Sequence, residues 1–249
     1  MRPLNRAPTS DAHAQLEGRP LSDGQVSSTP LSFLTTLGLL DRIAPRKNES
    51  DPDAPPPDAE SVFATKALRK FLGCLTAREL PVLIDLGPVV GSNISFFGEQ
   101  LGCKIFVLDL FADLDRHVRD GRVAELGDAL VTRVSQDAAS VDGILCWDFI
   151  DYLGKSSAQK LATELTRVLR PEGALLGFFG TSPQHGEPRY TKFIVADDGN
   201  LRYRTYPALG GRQSSLLNRD IIKLFSGLRV SDSFLLQNNQ REILFRKPA

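Results

Sequence analysis

One stretch of this chain, residues 81–93, constrains the fold more than any other. It opens with a continuous apolar run, Pro81 to Ile84, which is typical of a strand buried on both faces of a parallel sheet. Asp85 ends the run, and a glycine-bearing turn leads into a helical pattern. Because glycine has no Cβ, the backbone of such a turn can approach a ligand closely. The stretch therefore predicts a strand, a ligand-binding turn and a helix, with the ligand beyond the carboxyl end of the strand.

The spacing of the glycines separates two families that use this arrangement. A dinucleotide-binding turn has the pattern Gly-x-Gly-x-x-Gly, but Val89 and Ser92 stand where two of its glycines would fall. The class I S-adenosylmethionine-dependent methyltransferases have an acid followed by glycines at the second, fourth and sixth positions. Asp85, Gly87 and Gly91 match that motif, and Val89 departs from it. The chain thus resembles this family, with one change at the turn that faces the methionine end of the cofactor.

Later segments follow in the order that the family uses. Residues 104–109 form a second apolar run that ends in an acid, Asp109, and the resemblance implies that this carboxylate accepts hydrogen bonds from the ribose hydroxyls. Residues 140–153 resemble the fourth strand of the family. Residues 167–173, Arg-Val-Leu-Arg-Pro-Glu-Gly, followed by the apolar run 174–179, are similar to its turn into the fifth strand.

The resemblance also implies which residues hold S-adenosylmethionine. Those expected to contact it lie at strand ends and in the turns that follow them: Asp85, Gly87, Pro88, Gly91, Asp109, Leu110, Asp128, Trp147 and Asp148. Tyr152 and His185 are candidates for contact with the methyl acceptor. Methyl transfer needs in-line placement of the nucleophile and, for some acceptors, removal of a proton, and the sequence singles out no catalytic residue.

The third strand of the family has two interpretations in this chain. Residues 123–129 fit a short strand ending in Gly-Asp-Ala, in which Asp128 would hold the adenine amino group. Residues 122–134 fit equally well a single amphipathic helix, in which Asp128 would face solvent.

The predicted fold is a three-layer αβα sandwich with a seven-stranded, mostly parallel, Rossmann-like sheet whose last strand is antiparallel. We assign residues 59–249 to this domain and expect it to open with a helix that carries Val62 and Phe71. Asp-Asp-Gly-Asn at residues 197–200 predicts a hairpin insertion near 188–207. The insertion fits either a substrate-contacting cover over the sheet edge or a sheet extension without a ligand role.

The first 58 residues differ from the rest in composition. Nine of the 16 prolines fall within the first 60 residues, so we expect residues 1–58 to be largely disordered. A short amphipathic helix is predicted near 31–44. It would either pack on the catalytic domain or dock to a protein partner or a membrane surface.

Charge and composition exclude several other functions. A formal net charge of zero gives no electrostatic reason to expect nucleic acid as a partner. No run of about 18 apolar residues predicts a membrane span, and the start lacks a signal-peptide core, so we expect the protein in the cytoplasm. Three widely spaced cysteines predict neither disulfides nor a metal site.

The functional prediction is methyl transfer to an unidentified acceptor. The segment 148–151 lacks the Asp/Asn-Pro-Pro-Tyr/Phe turn of enzymes that methylate amino groups of nucleic acids, and Leu145 replaces the proline of cytosine-C5 enzymes. A small molecule or a protein is therefore favoured over a DNA base. The alternative is a non-catalytic module of the same fold that binds S-adenosylmethionine or a regulatory partner.

Overall fold

The computed structural model describes residues 61–184, 186–213 and 215–249. The predicted disordered segment 1–58 and the helix near 31–44 lie outside these ranges, as does His185. The described strands are β1 (Ser61–Ala64), β2 (Val82–Asp85), β3 (Lys104–Val107), β4 (Val141–Trp147), β5 (Leu169–Gly180), β6 (Arg189–Val195), β7 (Asn200–Pro207), β8 (Arg229–Leu235) and β9 (Gln240–Arg246). The described α-helices are α1 (Leu68–Thr76), α2 (Gly91–Ile94), α3 (Leu110–Arg119), α4 (Leu126–Arg133), α5 (Lys155–Val168) and α6 (Asn218–Leu224).

The main sheet has six strands in the order β3-β2-β4-β5-β9-β8. The first four are mutually parallel, and β9 is antiparallel to both β5 and β8. All seven residues of β4 are buried, as expected for a strand covered on both faces. The α/β class, the parallel sheet and the antiparallel last strand are therefore confirmed.

Two apolar clusters cover the two faces of the sheet. One is built on α3, α4, α5 and α6, with Phe111, Leu130 and Leu165 at its centre. The other combines α1 with strands of a second, smaller sheet and includes Phe71 and Phe193. The layer on this second face is thus part helix and part β-sheet.

The seventh strand of the predicted sheet is absent from the described residues. Residues 123–125 form a turn of 3₁₀-helix, and 126–133 form α4, so the helical interpretation of this segment is the correct one. Leu126 and Leu130 recur at helical spacing and are buried. Gly127 allows close packing on α5, since a Cβ there would lie 3.1 Å from the Ser157 Cα.

The smaller sheet has the order β1-β7-β6. β6 and β7 form an antiparallel hairpin, and Asp197 closes its turn by accepting a hydrogen bond from the Gly199 N–H at 2.8 Å. β1 pairs with β7 where the first part of a helix was predicted, so the prediction is wrong at Val62 and Phe63. It is confirmed for Leu68, Phe71 and Leu72, which lie in α1. Phe63 packs edge-on against Phe178, Phe193 and Tyr203, so a strand at this position brings an aromatic side chain into the core.

Within the described ranges, no helix is both long enough and apolar enough to cross a bilayer. The cytoplasmic location remains a prediction.

Candidate ligand-binding site

The order of the strands fixes where a ligand site can form. From β2 the chain moves outward to β3 and then returns to the other side of β2 to form β4, so the switch point lies between β2 and β4. Open α/β sheets bind ligands in the crevice beyond the carboxyl ends of the strands at such a point. Here β2 ends in Asp85 and β4 ends in Trp147.

Asp85 is buried at the start of the glycine turn. Its Oδ1 accepts two hydrogen bonds, from the Gly87 N–H at 2.8 Å and from the Trp147 Nε1–H at 2.6 Å. Burial raises the pKa of this carboxyl to about 6, and the two hydrogen bonds oppose that shift. Pro88 is buried beside Gly87, whereas Gly91 is exposed at the first residue of α2.

The indole of Trp147 fills the space above the glycine turn. A Cβ built on Gly87 would lie 2.7 Å from Trp147 Cδ1, so no larger residue fits at position 87 while the indole is in place. The ring stacks on Phe193 of β6 and on Phe178 of β5, with centroid distances of 5.1 and 6.1 Å and planes within 6° of parallel. Trp147 adopts a left-handed backbone conformation with φ of 47°.

Asn93 fastens the smaller sheet to the helix that follows the turn. Its amide donates to the Phe193 carbonyl at 2.9 Å and accepts from the Val195 N–H at 2.9 Å. Asn93 is itself buried. Strand β6 is thereby held over the same turn that Trp147 covers.

Asp109 lies at the end of the neighbouring strand and remains open to solvent on one side. It precedes α3, with φ of 48°, and its side chain accepts a hydrogen bond from the Ala112 N–H. The carboxylate borders a pocket of about 430 Å³ that Pro88, Tyr190 and Lys192 also line. Leu110, by contrast, is the first residue of α3 and is fully buried in the core.

A second acidic group lies immediately after β4. Asp148 is fully buried and accepts a hydrogen bond from Arg212 Nη2 at 2.6 Å. Asp151 accepts from the Gly180 N–H at 2.7 Å and lies 3.9 Å from Arg212 Nη1. Burial raises the pKa of Asp148 and raises that of Asp151 to about 7. Two carboxyl groups thus share one guanidinium at this end of the sheet.

The remaining predicted residues lie apart from the glycine turn. Tyr152 is buried, donates its hydroxyl to the Arg189 carbonyl at 2.8 Å and borders a cavity of about 590 Å³ between α3, α5 and the loop 209–213. Asp128 is on the exposed face of α4, paired with Lys160 at 2.6 Å. Among the described residues, no group of His, Cys, Asp and Glu side chains could hold a metal ion.

Sequence reasoning missed three residues that shape this site. Phe193 and Arg212 are distant from the motif along the chain, and each reaches it only through the packing of the smaller sheet or its following loop. Asn93 ends the motif stretch itself, but its hydrogen bonds to β6 depend on a strand about 100 residues further along the chain. The aromatic content of β6 was the one available indication that this strand faces other rings.

The comparisons with known proteins agree with the strand ends described above. A family model described as a methyltransferase domain matches residues 84–177, which contain the glycine turn, Asp109 and Trp147. No curated protein matches the chain.

Several solved structures are similar to the chain at low sequence identity. One is the 1,6-didemethyltoxoflavin-N1-methyltransferase of Burkholderia thailandensis with 1,6-didemethyltoxoflavin and S-adenosylhomocysteine bound, which is 18% identical over 74% of this chain and 79% of its own, with a TM-score of 0.40. Another is the geranyl diphosphate C-methyltransferase of Streptomyces coelicolor A3(2), 14% identical over 73% of this chain and 75% of its own, with a TM-score of 0.45. The PH0226 protein of Pyrococcus horikoshii OT3 is 15% identical over 74% and 92%, with a TM-score of 0.41.

The family model matches the segment that carries the acid, the glycine turn and both neighbouring strand ends. Residues 84–177 are therefore similar to a methyltransferase domain, and the cofactor of such a domain is S-adenosylmethionine.

Proposed function

We propose that this protein binds S-adenosylmethionine at the switch point between β2 and β4 and transfers its methyl group to a small molecule or a protein. The observation that carries the proposal is the pair of acids, Asp85 and Asp109, at the ends of adjacent parallel strands on either side of the glycine turn. This pair lies within the segment that matches the methyltransferase domain.

The nucleoside end of the cofactor fits the residues present. Asp109 offers only acceptor atoms, as two ribose hydroxyls require, and its carboxylate is accessible from the 430 Å³ pocket. Tyr190 stacks on Phe111 at 5.1 Å and gives this pocket an aromatic wall. The pocket therefore supports binding of a nucleoside through Asp109.

The methionine end does not fit the described conformation. The space that Gly87 leaves open is filled by the indole of Trp147, and the carboxylate of Asp148 is already paired with Arg212. Binding of the whole cofactor thus requires the protein's own side chains to move. When bound, S-adenosylmethionine would supply the electrophilic methyl group.

Three acids around the switch point, Asp85, Asp148 and Asp151, are buried, and burial raises the pKa of each. Asp151, at about 7, keeps a proton on about half of the molecules at that pH. This group supports chemistry on an acceptor that gives up a proton.

Calorimetric titration with S-adenosylmethionine, and separately with S-adenosylhomocysteine, tests the proposal. We expect micromolar binding of both by the unaltered chain and loss of binding by Asp109→Ala, since the ribose acceptors would be gone. Asp120→Asn, at the opposite end of α3, serves as a control and should bind as the unaltered chain does. Unchanged affinity of Asp109→Ala would overturn the ribose assignment.

A second candidate function is supported by the side chains that fill the turn. Val89 replaces a motif glycine and Trp147 occupies the space above another, which favours a non-catalytic member of the family that binds a nucleoside or a regulatory partner. The enzyme and the non-catalytic module differ in whether they convert S-adenosylmethionine. An enzyme would release S-adenosylhomocysteine in the presence of its acceptor, whereas the non-catalytic module would bind ligand and release none.

A further inference from the structure

We propose that Trp147 is an internal plug at the methionine end of the cofactor site, so that the closed protein accepts an adenosine-type nucleoside and admits S-adenosylmethionine only after the indole has moved. The inference rests on the proposed function, because it concerns the same site. In the closed site the ligand class is an adenosine-type nucleoside, and the Trp147 side chain controls whether S-adenosylmethionine can enter.

Trp147 lies where a sheet of this topology binds its ligand. The plug lies at the topological switch point, at the end of β4 and directly over the turn after β2, where a sheet of this order binds its ligand. Its indole N–H donates to Asp85 Oδ1, so it also occupies one acceptor oxygen of the acid that opens the turn. Asp109, on the next strand, has no such cover and borders an open pocket.

Opposing contacts and backbone strain determine the position of the indole. Stacking on Phe193 and Phe178 and the hydrogen bond to Asp85 favour the closed position. A left-handed φ of 47° at a bulky residue opposes it, because such residues adopt this region only at a cost. The closed position therefore depends on the contacts of the side chain and not on a relaxed backbone.

The Trp147 indole is also coupled to the smaller sheet. Phe193 belongs to β6, and the backbone of β6 is hydrogen-bonded to Asn93 just after the glycine turn. Movement of β6 away from the turn would remove the Phe193 ring from Trp147 and would open the glycine turn at the same time. One displacement would then free both walls of the methionine end.

The chain itself offers a direct probe of this inference. Trp147 is the sole tryptophan in the 249 residues, so intrinsic fluorescence excited at the indole reports on the plug alone. We expect saturating S-adenosylmethionine to shift the emission to longer wavelength and to increase acrylamide quenching about threefold or more, as a buried indole becomes exposed. Adenosine should bind without either change.

A variant and its control separate the plug from a merely structural tryptophan. Trp147→Gly suits the left-handed backbone and removes the ring, and we expect it to bind S-adenosylmethionine at least about tenfold more tightly, because every molecule is then competent. Its affinity for adenosine should stay within about twofold of the unaltered chain. Phe193→Leu keeps the indole but removes one stacking face, and it should give an intermediate gain.

Each outcome decides between the claims. Binding of S-adenosylmethionine with unchanged emission and quenching would overturn the plug and leave the proposed function standing. Failure of the unaltered chain and of both variants to bind either ligand would overturn the proposed function, and the plug with it. Binding by Trp147→Gly but not by the unaltered chain would support the plug. If Trp147→Gly does not fold, as judged by circular dichroism, the fluorescence titration of the unaltered chain and Phe193→Leu decide.

Discussion

Asp85 shows how a single residue serves two competing demands. It lies at the end of a parallel strand, where a carboxylate can meet a ligand, yet it is buried and receives two N–H donors from the protein itself. Burial dominates those donors and raises the pKa to about 6. The neutral form is therefore favoured in the folded protein relative to the unfolded chain.

A pH dependence of stability follows from this shift. The folded-state pKa of about 6 lies above the ordinary 3.8, so the folded protein binds more protons between these values, and the free energy of unfolding falls as pH rises through that window. Asp85→Asn keeps the Oδ1 acceptor without the charge. We expect it to raise the free energy of unfolding by about 1–3 kcal/mol at pH 8 and to change it little at pH 4.

Urea unfolding at a series of pH values measures this effect. Asp128→Asn provides the control for the exchange itself, because Asp128 is on the exposed face of α4, away from the switch point. A variant of Asp85 that is less stable than the unaltered chain at pH 8 would show that the charged form is the favoured one.

Among the elements, the contact between α1 and β4 depends on a glycine. A Cβ at Gly143 would lie 2.5 Å from Leu75 Cδ2 and 3.0 Å from Phe71 Cζ, so α1 can rest on the sheet only because this position has no side chain. Gly73, on the other hand, lies within α1 with nothing within 4 Å of its Cβ position. The two glycines thus have opposite significance, because Gly143 lies in the packing interface and Gly73 lies on the exposed side of α1.

Alanine exchanges at these two positions form a matched pair. Gly143→Ala should lower the free energy of unfolding by about 1–3 kcal/mol, because it overpacks the interface. Gly73→Ala should raise it by about 0.5–1 kcal/mol, because alanine favours the helix and meets no neighbour. Thermal unfolding followed by circular dichroism compares them, and equal effects would show that α1 shifts freely on the sheet.

The elements also show how far the sequence predicts this fold. Strands β2, β3, β4 and β5 follow from apolar runs bounded by acids and turns, and their family order follows from the motifs. The segment 123–129 was undecided because seven residues of mixed character fit both the strand period and the helix period, and burial of Leu126 and Leu130 against α5 settles it as helix. β1 was mistaken for helix because its strand partner, β7, lies far along the chain.

The site was predictable only in part, for a related reason. The acids and glycines at Asp85, Gly87 and Asp109 follow from local pattern, and the structure brings Asp85 and Gly87 into direct contact. The orientation of the Trp147 ring depends on Phe178 and Phe193, which come from two other strands. Local sequence determines which residues stand at a strand end, whereas long-range packing determines what covers them.

For the molecule as a whole, Glu242 connects the two sheets. It lies in β9 of the main sheet, is fully buried, and accepts hydrogen bonds from the Thr65 hydroxyl and from the Lys66 N–H at 2.9 Å. Thr65 and Lys66 follow β1, a strand of the smaller sheet. One carboxyl group therefore links the main sheet to the strand that precedes α1.

Removing this link tests whether the sheets unfold together. Glu242→Ala should lower the free energy of unfolding by about 2–4 kcal/mol, because it leaves the buried Thr65 hydroxyl and the partly buried Lys66 N–H without this acceptor. Glu242→Gln keeps an acceptor and should lose less. We expect unfolding followed by Trp147 fluorescence and by circular dichroism to coincide in the unaltered chain and to separate in Glu242→Ala. Coincident curves in both proteins would show that the carboxyl group is not needed for coupling.

The six-strand order leaves β3 and β8 as the outer strands of the main sheet. An outer strand offers unpaired backbone groups to which another chain can add, and proteins limit this hazard with short strands, charged residues and irregular pairing. β3 has four residues and begins with Lys104, and β8 has a shift in register between Val230 and Asp232. Within the part of the chain that the structure describes, neither border offers a long regular template for edge-to-edge pairing.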